Sequence, residues 1–342
     1  MTLHTINQPL VPLIAPTATT PTAAASDNAT YITPENTSEK MVNDVSSQLE
    51  TQCLFGELFD VTHSDGDLST GTLMTDGYHG VLPTAALSGV ADQTGLTAAR
   101  TMFQTTTRYE PCNPLDTSVD SHSATHRVVV PQTIVTASPS VTSRAITSLF
   151  FGSCVTVLEH DSGCARVTIN GEYGFLPDQA IAARQDTVDD WVCVAEQFMG
   201  RPYLWGGRSA AGIDCSALVQ LALSRAGVQL PRNSSDQYRA LVAADHRDPA
   251  ELAARFGSAG ARPGGQRQGG QRQGGLRQGG LQRGDLVFWA GHIGIMQDPG
   301  QLLHANAHHR CVATEPVQEA RRRIKEHGGG DITGWSRPLP SG

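Results

Sequence analysis

Two short segments of this chain read as copies of one another, and that repeat constrains the fold more than any bulk property. "GYHGVLPTAAL" (77–87) aligns with "GEYGFLPDQAI" (171–181), and each follows a β-patterned stretch that opens on Leu-Phe. In "CVTVLEHDSGCARVTI" the residues Val155, Val157, Ala165 and Val167 alternate with more polar neighbours, which is strand period, and Asp-Ser-Gly marks a turn between the two runs. A short all-β unit present twice predicts two small β-barrels, at 46–88 and 126–184, joined by a linker at 89–125. The alternative is one larger β domain made of two halves. Residues 1–45, rich in Thr, Ala, Pro, Ser and Asn with little periodicity, are expected to be disordered.

At 342 residues the chain exceeds one ordinary core and is expected to hold two or three domains. A net charge of −8 argues against nucleic acid or an anionic membrane as the main partner. No apolar run reaches the roughly 20 residues that span a bilayer. The N-terminal region has no basic residue before Lys40, and "PLVPLIAP" is short for a secretory core. Seven cysteines at irregular spacing do not form a disulfide framework. Together these features predict a cytoplasmic protein, and they carry no signal for oligomeric state.

From Thr187 the period changes. "DTVDDWVCVAEQFMG" sets Val188, Trp191, Val192, Val194, Ala195 and Phe198 on one side at helical spacing, before Gly200 and Pro202 stop the helix. This helix opens a third domain, expected over 187–338. Inside it, "GGQRQGGQRQGGLRQGGLQR" (264–283) repeats a five-residue unit four times, and such a tract cannot bury a core. Residues 262–283 are therefore expected to be a flexible insertion. Three strand-like runs follow, "DLVFWA" (285–290), "HIGIMQ" (292–297) and "QLLHAN" (301–306), the last two joined by Asp298, Pro299 and Gly300. The basic "RRRIK" (321–325) reads as a solvated helix face.

The chemistry concentrates around Cys215. Asp214 is a favoured helix-capping type, Leu218, Val219 and Ala222 follow Cys215 at helical spacing, and Gly227 is a good terminator. Cys215 thus falls on the first turn of a helix, where the macrodipole favours thiolate over thiol. A nucleophilic thiol needs a base and a group to orient that base. If the hairpin loop holds three residues, Gln297 pairs with Gln301, Gly294 faces His304, and His292 and His304 share one face of the sheet. A two-residue loop would put them on opposite faces. Singly, such a Cys and such histidines are usually ordinary packed residues; jointly they point to a Cys-His nucleophilic site.

The set "PYLWGG…DCSALVQ…LPRNSSDQ…RGDLVFW…GHIGIM…LLHANAHH" resembles the NlpC-type branch of papain-like cysteine peptidases, across about residues 187–338. The resemblance implies an α+β fold, with the cysteine helix packed on an antiparallel sheet that bears the histidines. It implies hydrolysis of the bond between γ-D-glutamate and a following diamino acid (meso-diaminopimelate or L-lysine) in murein peptides, without a cofactor. Carried over by motif, Cys215 is the nucleophile, His292 the general base, His304 the orienting residue and Tyr203 a donor near the oxyanion. The repeated β units resemble bacterial SH3-like domains, although the Trp common in the third strand of such domains is absent. Members built in this order resemble recycling enzymes that act on released peptides with a free N-terminal L-Ala. In that comparison Asp214, Ser216, Ser234 and Tyr78 match the positions that hold the substrate's ammonium. Ala217 stands where the family usually has Gly, and Asn233 where Asp is commoner.

Three rivals compete with this reading. His304, His308, His309 and Cys311 are zinc-ligand types, but no second cluster completes a site, so no metal is expected. A non-catalytic wall-peptide binding protein would keep the β domains and lose the chemistry. A thiol acyltransferase would use the same nucleophile on a different acceptor.

Overall fold

The computed structural model describes residues 2–15, 49–89, 124–242 and 280–338. They fall into two compact units, the first made of 2–15, 49–89, 124–186 and 204–214, the second of 187–203, 215–242 and 280–338. Among the described residues no helix is long and apolar enough to cross a membrane, and no disulfide joins the cysteines.

The first unit holds two seven-stranded antiparallel sheets. One contains β1 (Thr2–Ile6), β2 (Leu10–Ile14), β3 (Leu49–Leu54), β4 (Leu58–Asp65), β5 (Leu68–Leu73), β6 (His79–Pro83) and β7 (Leu87–Gly89). The other contains β8 (His126–Val128), β9 (Gln132–Thr136), β10 (Ala145–Phe150), β11 (Cys154–Asp161), β12 (Cys164–Ile169), β13 (Glu172–Pro177) and β14 (Ile181–Ala183). Their strand orders are β3-β2-β6-β5-β4-β1-β7 and β10-β9-β13-β12-β11-β8-β14, the same order shifted by seven strands. The repeat legible at 77–87 and 171–181 is thus the tail of a much longer one, covering the sixth strand, a 3-10 turn and the seventh strand of each copy.

Residues 2–15 were expected to belong to a disordered lead, and they instead supply the first two strands. Ile6, Val11 and Leu13 are fully buried in the first core with Phe59, Leu73 and Leu82. The alternation is present in "TLHTI" and "LVPLI", but each run is only five residues long and sits in Thr- and Pro-rich surroundings. The first β domain accordingly begins at residue 2 rather than at 46. Residues 16–48 and most of the expected linker, 90–123, lie outside the described residues.

Turn chemistry sets the register of the second sheet. Asp161 pairs with Cys164 across Ser162 (φ 52°) and Gly163 (φ 80°), and Ile169 pairs with Glu172 across Asn170 (φ 52°) and Gly171 (φ 83°). Two successive left-handed residues match the twist of a two-residue hairpin, a demand that Asn-Gly meets best. Phe55, in the turn after β3, is buried in the core of the second sheet. Its carbonyl accepts the Cys154 N–H at 2.8 Å, while Gly56 (φ 79°) donates to the Ile6 carbonyl at 2.9 Å.

Residues 204–214 carry two short paired strands, β15 (Arg208–Ser209) and β16 (Gly212–Ile213). Expected inside the third domain, they group with the β units instead. The reason is Arg208, whose side chain is 1% exposed. Its guanidinium donates to both carboxylate oxygens of Glu57 (3.0 and 3.1 Å) and to the Gln52 carbonyl (2.7 Å), and its backbone N–H reaches Gln52 Oε1 (2.8 Å). Burial works against the Arg208 charge, but Glu57 and Asp76 outweigh it and the net shift holds the guanidinium protonated.

The second unit is α+β. It contains α1 (Val192–Glu196), α2 (Cys215–Ser224), α3 (Ser234–Leu241), β17 (Leu286–Trp289), β18 (His292–Met296), β19 (Gln301–Asn306), β20 (Cys311–Pro316), α4 (Val317–Glu326) and β21 (Gly334–Ser336). The strands form one antiparallel sheet in the order β20-β19-β18-β17-β21. All of "LVFW" and nearly all of "HIGIM" and "QLLHAN" is buried, the continuous apolar pattern of strands covered on both faces. Helix α2 packs against β18 and β19, and α4 against β19 and β20. Gly227 (φ 80°) follows the last turn of α2, and Val228 N–H caps the Leu223 carbonyl at 3.0 Å.

The Gln/Arg tract was expected to be flexible through residue 283, yet its end is built into this unit. Leu281 is 5% exposed, and the Arg283 guanidinium pairs with Asp190 (3.0 Å) and Glu196 (2.8 Å). Residues 243–279 lie outside the described residues.

Candidate active site

Helix α2 begins at Cys215, which is 6% exposed. The segment "LPRNSSDQ" locks that first turn. Arg232 donates to Ser216 Oγ (2.9 Å), and Gln237 Nε2 donates to the carbonyls of Ser216 (3.0 Å) and Pro231 (2.9 Å). Ser216 therefore already accepts a guanidinium hydrogen bond, so a substrate ammonium would share its hydroxyl with a cation. Ser234 opens α3, with Asn233 in an extended cap conformation that makes no side-chain cap bond. Tyr203 is half-buried, and its backbone N–H donates to the Arg310 carbonyl (2.9 Å) beside the Pro202–Cys311 bridge.

The hairpin that carries the histidines pairs Ile295 with Leu303 and Met296 with Leu302, and Gln297 N–H bonds the Gln301 carbonyl at 2.9 Å. This is the register of a three-residue loop, with Asp298 Oδ1 accepting the N–H groups of Gly300 and Gln301. His292 and His304 consequently meet: His292 Nε2 lies 2.8 Å from His304 Nδ1, with ring centroids 5.1 Å apart. His304 is 1% exposed, and its Nε2 lies 2.8 Å from Glu315 Oε1. Glu315 is in turn ion-paired with Arg323 of α4. "RRRIK" is thus not uniformly solvated, because Arg323 turns inward while Arg321 pairs with Asp331 at 2.6 Å.

Burial, the facing His304 ring and the Arg323 charge push His292 down to about 3, with Glu315 opposing, so its imidazole rests neutral. Burial also lowers His304. For Glu315 burial works upward, but the His304 hydrogen bond and the Arg323 charge outweigh it and leave it at about 2.

The sequence does not single out Glu315, and it places Arg323 within a run expected to be a solvated helix face. The strand β20 that carries Glu315 pairs with β19 from Asn306–Cys311 to Gln301–Pro316. Its run "CVATEP" has only weak alternation, so nothing marked the acid as facing a histidine. The available signal was a lone Glu eleven residues after His304.

Metal-ligand types do gather here: donor atoms of His304, His309 and Glu315 lie within 4.8 Å of one another. The arrangement does not suit a cation. Arg323 already holds the Glu315 carboxylate, His304 Nε2 is spent on the same carboxylate, and His309 Nδ1 is 3.0 Å from Asn306 Oδ1. His308 is exposed, and Cys311 pairs across the sheet with Asn306.

The remaining two sequence-marked residues, Tyr78 and Asp214, belong to the first unit. Tyr78 Oη donates to Glu50 Oε2 at 2.6 Å. Asp214 is 7% exposed and accepts the Gly206 N–H at 3.0 Å. Gly206 (φ 75°) lies against the Leu49 carbonyl, and a Cβ there would come within 2.8 Å of that oxygen. The loop bearing Asp214 therefore sits on the strand that bears Glu50.

Residues 200–325 match the NlpC/P60 family, and this chain carries an NlpC/P60 domain. It is similar to a γ-D-glutamyl-L-lysine dipeptidyl-peptidase of Bacillus subtilis (strain 168), 32% identical over 95 residues, which are 27% of this chain and 32% of that protein. It is also similar to the enzyme of the same name from Bacillus cereus (strain ATCC 10987 / NRS 248), 29% identical over 126 residues, 34% of this chain and 38% of that one. The chain thus spans about a third of the length of these curated relatives. A crystal structure of an NlpC/P60 family protein from Bacillus cereus ATCC 10987 shares the fold, with a TM-score of 0.62 at 19% identity over 99% of this chain and 100% of that one.

Proposed function

We propose that this chain is a cysteine peptidase that hydrolyses peptidoglycan peptides between γ-D-glutamate and the following diamino acid. The observation that carries the reading is the hydrogen-bonded pair His292–His304, on the two strands against which the Cys215 helix packs. In this reading His292, neutral at rest, takes the Cys215 proton as the sulfur attacks the γ-carbonyl carbon, and Tyr203 supports the developing oxyanion. The imidazolium then gives its proton to the leaving amine. Water, deprotonated by the same ring, hydrolyses the thioester and restores the thiol. His304 keeps the ring of His292 in place throughout. The names of the two Bacillus relatives support the choice of bond.

The finer part of the proposal concerns what precedes the cleaved bond. The two seven-stranded sheets are read as SH3-like barrels, and the substrate as a released peptide with a free N-terminal L-Ala. Asp214 supplies the negative charge for its ammonium, with Ser216 and Ser234 as further acceptors. Tyr78, whose hydroxyl donates to Glu50 Oε2 at 2.6 Å, is the further position that the family resemblance points to.

The test is incubation of the purified chain with L-Ala-γ-D-Glu-meso-diaminopimelate and with the L-Lys analogue, read by mass spectrometry. Release of L-Ala-D-Glu, abolished in Cys215→Ala, is expected; no dipeptide from either substrate would overturn the reading. Acetylating the L-Ala amine removes charged hydrogen bonds worth about 1.5–3 kcal/mol each, so kcat/KM should fall roughly ten- to hundredfold. Equal rates on both forms would remove the free-amine reading and leave a general endopeptidase.

A further inference from the structure

The line of hydrogen bonds that starts at His292 does not end at the second histidine. It runs from His292 Nε2 to His304 Nδ1 (2.8 Å), from His304 Nε2 to Glu315 Oε1 (2.8 Å), and from Glu315 to Arg323. Each link limits where the protons can be. An ionised carboxylate is an acceptor only, and the guanidinium beside it keeps Glu315 ionised. Its histidine neighbour must therefore carry hydrogen on Nε2. A neutral imidazole has one N–H, so His304 Nδ1 is left as an acceptor. The atom facing it, His292 Nε2, must then be the donor. That uses the single N–H of a neutral His292, and its Nδ1 is left with a lone pair.

We propose that Glu315, held by Arg323, is a positioning residue that selects the tautomer of both histidines and thereby leaves His292 Nδ1 as the proton acceptor for Cys215. The inference rests on the peptidase reading for its consequence, but not for its geometry. When the thiol proton arrives at Nδ1, His292 becomes an imidazolium that donates from both nitrogens. No proton needs to pass to His304 or Glu315, whose negative charge lies one ring beyond the new positive one. The opposite tautomer, with hydrogen on His292 Nδ1, would present a donor to the thiol and could not accept from it. The charged and titratable groups facing Glu315 are His304 from β19, Arg323 from α4, and His309 from the connection to β20, whose Nδ1 lies 3.9 Å from Glu315 Oε1. Those bearing on His292 are His304, Arg323 and Glu315.

The first arm of the test requires no turnover. Histidine 15N spectra of the full chain carrying Cys215→Ala report which ring nitrogens bear hydrogen. The expected pattern is hydrogen on Nε2 of both His292 and His304; hydrogen on Nδ1 of either ring overturns the inference. The second arm is kinetic. In Glu315→Gln the amide can donate to His304 Nε2, which reverses both tautomers. By comparison with the loss of order 10⁴ seen when an orienting carboxylate becomes an amide in serine proteases, kcat at pH 7 should fall by at least about 10²-fold, with KM changed less than about threefold. The deficit should shrink as pH rises past the ordinary thiol value of about 8.5, where the sulfur ionises without a base. A merely structural lesion costs the same fraction at every pH, and that result, or full activity of Glu315→Gln at pH 7, would sink the proposal. Arg323→Lys preserves a cation on Glu315 and should retain activity within a few-fold; loss of activity there with the expected spectra unchanged also counts against it. If the chain hydrolyses no peptide at all, the peptidase reading falls while the spectra still decide the tautomer.

Discussion

The buried pair Arg208–Glu57 makes a quantitative prediction about the first unit. Their side chains are 1% and 5% exposed, and Glu57 serves two further donors, the Leu54 N–H at 2.7 Å and the Thr75 hydroxyl at 2.7 Å. Glu57→Leu removes one partner of a buried ion pair and strands a guanidinium, at a cost of about 3–5 kcal/mol. It also orphans the buried Leu54 N–H, at about 1–3 kcal/mol more. Glu57→Leu with Arg208→Met replaces both charges by apolar groups, which is near neutral for the pair itself. The Leu54 N–H stays orphaned and Arg208→Met also takes the guanidinium from the Gln52 carbonyl, so the double variant should lose about 1–3 kcal/mol for each of these two buried groups. Arg208→Met alone strands the Glu57 carboxylate at a similar cost, so the double variant should fall well short of the sum of the two single variants, which is the coupling the cycle reads. Because the chain has two units, a single melting curve would blend them; native-state hydrogen exchange at Phe59, Leu73 and Leu82, in the core of the first sheet, reads the right one. A single variant destabilised by less than about 1 kcal/mol, or a double variant as weak as the single, would refute the reasoning.

Three further outcomes follow from the same structure. Gly56→Ala places a Cβ against the Cys154 carbonyl at φ 79°, and should cost about 2 kcal/mol or more in urea unfolding; an unchanged midpoint would contradict it. His292 is depressed from 6.5 to about 3 in the folded chain, so the unfolded state takes up its proton first. The second unit should therefore hold its full stability above pH 6.5 and lose it progressively as pH falls towards 3, and His292→Gln should flatten that slope in urea titrations at pH 7, 5.5 and 4. Arg283→Ala breaks half-exposed pairs with Asp190 and Glu196 and should destabilise the second unit by only about 1 kcal/mol, the loss diminishing in 1 M salt.

Local signals carried much of the second unit. The Asp-Pro-Gly loop between two apolar runs narrowed the register to two choices, and the structure chose the three-residue loop that puts His292 and His304 on one face. The helix starting at Cys215 and its stop at Gly227 were also legible, because capping and left-handed termination are decided by neighbouring residues. Strands β1 and β2 escaped notice for the opposite reason. Five-residue runs with two buried positions each are no stronger than chance patterning until partners from β3, β4 and β6 complete them.

What the sequence settled unaided was local: periodicity, turn type, the address of a cysteine on a first helical turn, and an α+β domain following repeated β units. Tertiary structure alone decided the pairings that join distant residues. It placed Glu315 behind His304, turned Arg323 inward from an apparently solvated face, and tied residues 204–214 to the first unit through Arg208 and Glu57. Such contacts bring together side chains whose own backbone neighbourhoods bear no mark of the partner. Their identity is set by how helices and strands stack to bury apolar surface, and only after that stacking do the buried charges find one another.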